Sequence, residues 1–454
     1  MSKMSDVLTR SRLAIDGGPQ AVPDGAGDMF TWPIVTAEDE AAVLDVLHRG
    51  AMSALDVTRE FETEYAAWQG SRYALAHSSG TTALQAAMFA CRVGVGDEII
   101  CPSITYWASA LPAFSLGATI VFADVDPHTL CLDPADIEHR ITERTRAIVA
   151  VHYLGHPADM GPIMEIARRR GVKVIEDVSH AHGGLYQGRP VGTIGDVGAA
   201  SLMTHKGLPA GEGGMLTTDN REVFERALAF GHYERFGATP ASLPIETEDL
   251  RPFAGLPLGG LKNRMHQMSA AVGRVQLRHY PQRMAEIQRA MNHFWDLLEG
   301  VPGVRPHRPA PDSGSTMGGW YSPHGLYRPE ELGGLSVTRY TQAVQAEGVS
   351  CSPGLNSPLH LHPLLNTADV YGHGRPTRIA NAARDVRQPA GSLPVSEAAG
   401  GRAFRIPWFK HYRPQVIEAH AQAFRKVAEQ APELLAGDPG DPPHLTGWRI
   451  YTPT

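Results

Sequence analysis

The chain has 454 residues, 43% hydrophobic and 20% charged. That balance excludes a chain disordered along most of its length and leaves room for two or three domains. A net charge of −7 excludes a protein built mainly to neutralise nucleic-acid phosphates, and no apolar run approaches the ~18 residues of a membrane span.

Residues 1–30 read as an extended N-terminal arm without the apolar core of a secretion signal. Helices are expected over 36–48, with Gly50 just beyond as a stop, and over 57–69. From Tyr73 onward, strand and helix patterns alternate. Runs 73–77, 98–101, 119–123, 147–152 and 172–176 read as strands, and 82–92, 108–116 and 160–170 as helices. This alternation implies an α/β fold with a mostly parallel sheet covered on both faces. Two further strand-like runs, 197–203 and 214–218, bracket the Gly/Pro-rich loop PAGEGG. Residues 265–298 read as helical with an interruption at Pro281. Beyond Gly300 the pattern becomes a connecting loop over 302–323, a helix within 330–347, a loop-rich stretch over 351–407 and an amphipathic helix over 416–435. An irregular tail follows from 437. The expected division is an arm (1–30), a large domain (31–280) and a smaller α+β domain (281–454). The four cysteines lack disulfide or metal-ligand spacing, which points to a reducing, cytoplasmic setting.

Three short segments carry chemistry. Ser78-Ser79-Gly80-Thr81-Thr82 lies between a strand and a helix. It reads either as a phosphate cradle at a helix N-terminus or as a plain Ser/Thr cap. Glu176 and Asp177 end a strand, where carboxylates of parallel sheets face the ligand crevice, and either residue suits a buried acid that holds a ring nitrogen protonated. His180 and His182 follow as hydrogen-bond donors or loop residues. Lys206, one of only six lysines, lies in SLMTHKGLPAGEGG, where small residues leave space for a planar ligand. A lysine of depressed pKa forms Schiff bases with aldehydes. A phosphate, an aldehyde and a ring nitrogen together describe pyridoxal 5′-phosphate.

The ordered motifs SSGTTAL, CPSITYWAS, VIEDVSHAHGG, SLMTHKGLPAGEGGM and KNRMHQMSAAVGRVQL resemble the DegT/StrS-type aminotransferases. The resemblance runs over about residues 30–430. It implies fold type I, with a large mixed but mostly parallel sheet domain and a small C-terminal domain. It also implies amination of keto-sugars or keto-cyclitols with pyridoxal phosphate. By resemblance, Lys206 is the Schiff-base lysine, Asp177 pairs with the pyridine nitrogen and His180 meets the ring's phenolic oxygen. Tyr106 is the stacking aromatic, and Gly80, Thr81 and Ser201 hold the phosphate. Members often carry GxNxR, whose Asn reaches the neighbouring subunit's phosphate. Here Lys262 stands at the Asn position, with Asn263 one residue away. A homodimer with shared active sites is implied, with no nucleic-acid or membrane partner.

GHYERFG, GGWYSPHGLY, NSPLHLHPLL and IPWFKHYRP resemble the cyclitol-type members that aminate scyllo-inosose with glutamine or glutamate as donor, in aminoglycoside or other secondary-metabolite pathways. His360 and His362 read as loop histidines near the substrate mouth, and Trp320, Tyr321 and Trp408 as core aromatics ahead of sugar-facing ones. Three alternatives stand beside the aminotransferase. An aminohydroxybenzoate synthase is suggested by His180. A deoxysugar dehydratase of the same fold would carry histidine in place of the Schiff-base lysine. A non-catalytic cofactor-binding regulator fits least, because Lys206, Asp177 and His180 are all retained.

Overall fold

The computed structural model describes residues 11–22, 27–237 and 242–443. A seven-stranded sheet forms the centre: β1 (Tyr73–His77), β2 (Glu98–Pro102), β3 (Thr119–Ala123), β4 (Thr145–Val151), β5 (Lys173–Asp177), β6 (Val197–Ser201) and β7 (Gly214–Thr218). Their spatial order is β1-β7-β6-β5-β4-β2-β3. β7 runs antiparallel to both β1 and β6, and the other pairings are parallel. β2, β3 and β7 are buried along their full length, as expected of a sheet covered on both faces.

The helices that cover the sheet start or stop where the sequence supplies a cap. α1 (Ala37–His48) opens on a Thr36–Asp39 capping box, and α2 (Asp56–Gln69) stops at left-handed Gly70. α3 (Gly80–Ala90) is capped by Ser79, α4 (Met160–Arg170) ends at Gly171 and α5 (Arg221–Gly231) is capped by Asn220.

The 82–92 helix thus begins two residues earlier than expected, on the cap itself. The stretch 108–116 holds only a 3-10 turn (Trp107–Ser109) and one helical turn (Pro112–Ser115). Pro281 does not interrupt its helix: α6 runs unbroken over Gln267–Leu297. Pro281 sits on the exposed side, while α6 packs on α1 and α2.

A second core gathers the far end of α6, the helices α7 (Val337–Ala346) and α8 (Pro414–Glu429), and a four-stranded antiparallel sheet. Its strands are β8 (Val304–Pro306), β9 (His324–Tyr327), β10 (Ser352–Pro353) and β11 (Ala403–Arg405), in the order β8-β9-β11-β10. The arm is not extended where it is described. Ala14 and Ala21 donate their N–H groups to Glu347, which pairs with Lys426 in a fully buried ion pair. Residues 1–10 and the tail from 444 lie outside the described residues.

The stretch 355–399 belongs by contact to the first core, not the second. It covers the exposed side of β3, the edge strand. Gln388 exchanges hydrogen bonds with both main-chain groups of Phe122, and Arg378 donates to Ile120 O. A sheet edge that would otherwise offer unpaired groups is closed. His360, read as a mouth residue, is instead a clasp here: its ring bonds Ser103 on one side and Glu397 on the other.

Candidate active site

The ends of β1, β5 and β6 meet at one edge of the sheet. Gly214, the first residue of β7, is opposite both His77 and Ser201, so the two strand ends are one strand apart. Gly80 starts α3 immediately above. A Cβ on Gly80 would meet the Ser201 Cβ at 2.5 Å, which leaves room only for hydrogen. Ser79 caps α3 by accepting from Thr82 N–H at 3.1 Å. The first two helical N–H groups, of Gly80 and Thr81, lie outside the helix ladder, and Gly80 packs against Ser201.

Asp177 ends β5 and is 5% exposed. Its Oδ2 accepts from Ser109 Oγ at 2.7 Å and its Oδ1 from Ser179 N–H at 3.0 Å. Two donors leave the carboxylate further lone pairs for a third. Ser109 sits on the same turn as Tyr106, whose half-buried ring lies against Trp107. Glu176 is excluded from the site. It is fully buried against His152, and it accepts from Gly192, Ile194 and Gly195 N–H, so it holds the loop before β6.

The loop 202–213 folds back on itself through Leu202 N–H to Gly213 O and Ala210 N–H to Leu202 O. This turns Lys206 inward, 7% exposed, while His205 remains on the surface. Burial pushes the Lys206 amine down to about 8, against the charge of Asp177, which pulls it up. Its Nζ lies 4.1 Å from the centroid of the Tyr321 ring, and its main-chain oxygen accepts from Trp32 Nε1 at 2.8 Å.

His180 is 8% exposed and lies between the rings of Tyr153 and Tyr321. Burial, with Lys206 nearby, drives its pKa well below the usual value, so the ring is neutral. Its Nδ1 faces Leu154 N–H at 3.2 Å and therefore accepts, which leaves the proton on Nε2. His182 is pushed down to about 3 by burial, and neither ring nitrogen has a hydrogen-bond partner among the described residues.

Lys206, Asp177, His180, Gly80, Thr81, Ser201 and Tyr106 thus line one edge of the sheet. Lys262 stands apart on the surface, while Asn263 is 4% exposed and packed on Gly231. Of the two, only Lys262 is free to reach outward. Sequence reasoning missed Ser109, Ser179 and Trp32. Ser109 stood inside a motif already singled out; Trp32 had no signal at all. Tyr321, read as core, faces the lysine, whereas Trp320 is core.

The donors, the cradle that a Cβ would fill and the buried lysine facing a held carboxylate fit a phosphorylated pyridine aldehyde. Comparison with known proteins agrees. An L-glutamine:scyllo-inosose aminotransferase of Streptomyces griseus is 33% identical, over 93% of this chain and 99% of that one. An L-glutamine:2-deoxy-scyllo-inosose aminotransferase of Streptomyces kanamyceticus is 35% identical, over 94% and 100%. The solved aminotransferase of Psychrobacter cryohalolentis superposes with a TM-score of 0.74 at 30% identity, over 87% of this chain and 97% of that one. The sequence model of the DegT/DnrJ/EryC1/StrS aminotransferase family matches residues 33–414, a span that takes in each of the strand ends just described, and the chain belongs to that family.

Proposed function

We propose that this aminotransferase moves an amino group from glutamine or glutamate to the ketone of a cyclitol of the scyllo-inosose kind, with pyridoxal 5′-phosphate held at Lys206. The observation that carries the reading is a buried amine whose proton is balanced between its own desolvation and the charge of Asp177. When bound, the cofactor supplies an aldehyde that condenses with amines and a ring that accepts the electron pair left on the donor carbon.

The residues divide the remaining work. Gly80 and Thr81 N–H and the Ser201 hydroxyl bind the phosphate at the α3 N-terminus. Asp177, oriented by Ser109 and Ser179, keeps the ring nitrogen protonated. Neutral His180 donates from Nε2 to the ring's phenolic oxygen, and Tyr106 stacks on the ring. Lys206, once displaced by the amino donor, takes a proton from the donor carbon and returns it one position away. With a pKa of about 8, roughly a tenth of the amine is already neutral at pH 7, so the base is available at that pH. The same steps run backward on the ketone, so donor and acceptor use the site in turn.

The cyclitol reading rests on relatives matched along nearly their full length. The exposed lysine beside a run of exposed apolar residues, Leu243, Phe253, Leu256 and Leu258, supports a homodimer in which Lys262 reaches the partner's phosphate. Four buried cysteines, all free, suit the cytoplasm. The dehydratase alternative needs a histidine in the lysine's place, and His205 faces away from the site. The benzoate-synthase alternative keeps His180 as its one favouring feature.

The test is a half-reaction. Purified protein is mixed with glutamine, glutamate or alanine and the visible absorbance of the bound cofactor is followed. Loss of that absorbance with glutamine or glutamate is expected; no change with any of the three defeats the reading. Lys206→Ala is expected to abolish the borohydride-stable mass adduct on the peptide that contains residue 206.

A further inference from the structure

Lys206 is bracketed by aromatic side chains from three distant parts of the chain. Its Nζ lies over the face of Tyr321, 4.1 Å from the ring centroid and well within the range of a cation–π contact. Tyr321 is packed edge-on against Trp408, at 6.0 Å and 88°, and tilted against His180 at 4.6 Å. Trp408 is fastened in turn, because its Nε1 donates to Gly319 O at 3.0 Å, two residues before Tyr321. Trp32 leans on Trp408 at 5.6 Å and donates to the Lys206 carbonyl at 2.8 Å. The circuit closes: lysine main chain, Trp32, Trp408, Tyr321, lysine amine.

The backbone of the 318–322 loop is arranged to present this ring. Trp320 and Ser322, on either side of Tyr321, both have positive φ, 57° and 48°. Non-glycine residues adopt that region at a cost, and two of them flanking one side chain mark a presented group. A Cβ on Gly319 would meet Tyr280 Oη at 2.3 Å and one on Gly318 would meet His182 O at 2.2 Å, so the loop presses directly on α6 and on the loop after β5. Burial raises the Tyr321 phenol's pKa, so the ring offers a neutral π face.

We propose that Tyr321 is a positioning residue whose ring face, held by Trp408 and Trp32, favours the protonated form of Lys206 and so sets the pH at which the lysine changes charge. The inference rests on Lys206 being the reactive amine of the proposed function. The other groups facing the lysine's surroundings are Asp177 from β5, neutral His180 and His182 from the loop after it, His324 from β9, and Arg405 and Lys410 from and beyond β11. Asp177 alone among them attracts a proton on Lys206. The Tyr321 face adds a second attraction without adding a charge that would compete for the ring nitrogen.

The experiment uses the holoenzyme and two readouts. First, the absorbance of the lysine-bound cofactor is titrated against pH. Second, protein stripped of cofactor is treated with cyanate across the same pH range, and carbamoylation of the Lys206 peptide is followed by mass spectrometry. Tyr321→Leu and Tyr321→Met remove the ring face, and either midpoint is expected to move down by about 0.5 to 1.5 pH units, a three- to thirtyfold change in proton affinity. Tyr321→Phe keeps the face and is expected to titrate with the wild type. A folded Leu or Met variant that titrates at the wild-type pH overturns the proposal, as does a Phe variant that moves as far as Leu. Borohydride trapping on a lysine other than 206 overturns both this inference and the function on which it rests.

Discussion

Lys410 is 3% exposed, yet among the described residues no carboxylate pairs with it. Its Nζ lies 3.3 Å from the Trp408 centroid and donates to Trp408 O at 3.1 Å. Burial, with Arg405 nearby, pushes the amine from 10.5 down to about 6. That shift corresponds to roughly 6 kcal/mol against the charged form. At pH 7 the amine is therefore mostly neutral in the fold. At pH 7 the folded state then carries a cost of about 4.5 kcal/mol relative to an unfolded chain whose lysine is freely protonated. Lys410→Met keeps the length, removes that cost and forfeits one hydrogen bond of about 1 kcal/mol. The expected gain is about 3.5 kcal/mol at pH 7. The unfolded lysine binds more protons than the folded one across this range, so wild-type stability rises with pH and the variant's advantage shrinks to about 1 kcal/mol at pH 9. Urea unfolding of both proteins at pH 7, 8 and 9 reads the gap. A variant no more stable at pH 7, or a gap constant with pH, refutes the reasoning: the amine would then be charged in the fold, with the aromatic faces outweighing burial.

Further outcomes follow from the same structure. Gly80→Ala drives a methyl to 2.5 Å from Ser201 Cβ and is expected to weaken pyridoxal phosphate binding at least ~10-fold by absorbance titration and to lower the melting temperature, because the Ser201 backbone has to shift. Ser109→Ala removes the 2.7 Å donor to Asp177 and is expected to slow the amino-donor half-reaction about tenfold in stopped flow, the size of one charge-assisted hydrogen bond. His77 and His182, both held near 3 by burial, stay neutral in the fold but take a proton in the unfolded chain below about 6.5. Stability should therefore fall with acid by about 2.7 kcal/mol per pH unit from these two rings alone between pH 6 and 4; urea midpoints independent of pH there would show that the rings are solvated.

Much of this was legible because it is local. Strands 73–77, 119–123 and 214–218 and the helix 160–170 have the bounds read from the sequence, since apolar runs and glycine stops act over a few residues. The site residues stood in motifs at strand ends for the same reason. What escaped depends on packing across long stretches of chain. The Trp32 contact to the Lys206 carbonyl spans 174 residues, and nothing near Trp32 in sequence signals it. The wrapping of β3 by 355–399 rests on Arg378 and Gln388, polar residues whose burial no local pattern announces. Pro281 looked like a break because proline is a local breaker, yet the packing of α6 along three other helices carries the helix through it.

The pair Glu176-Asp177 shows most directly how the fold divides labour that the sequence leaves open. Successive residues of a strand point to opposite faces, so two adjacent acids cannot serve the same site. Glu176 takes the face toward His152 and the loop 192–195, where four donors satisfy it and its carboxyl is held below the usual range. Asp177 takes the other face, with two donors among the described residues, and keeps capacity for a ligand. The neighbouring histidines sharpen this. His180 and His182 are driven neutral partly by the charge on Lys206, so neither screens that lysine from Asp177. In this buried surrounding the charge of Asp177 acts strongly on the Lys206 amine. That pull offsets part of the burial that lowers the amine's proton affinity, and such a balance is what a reaction shuttling one proton beside a protonated ring requires.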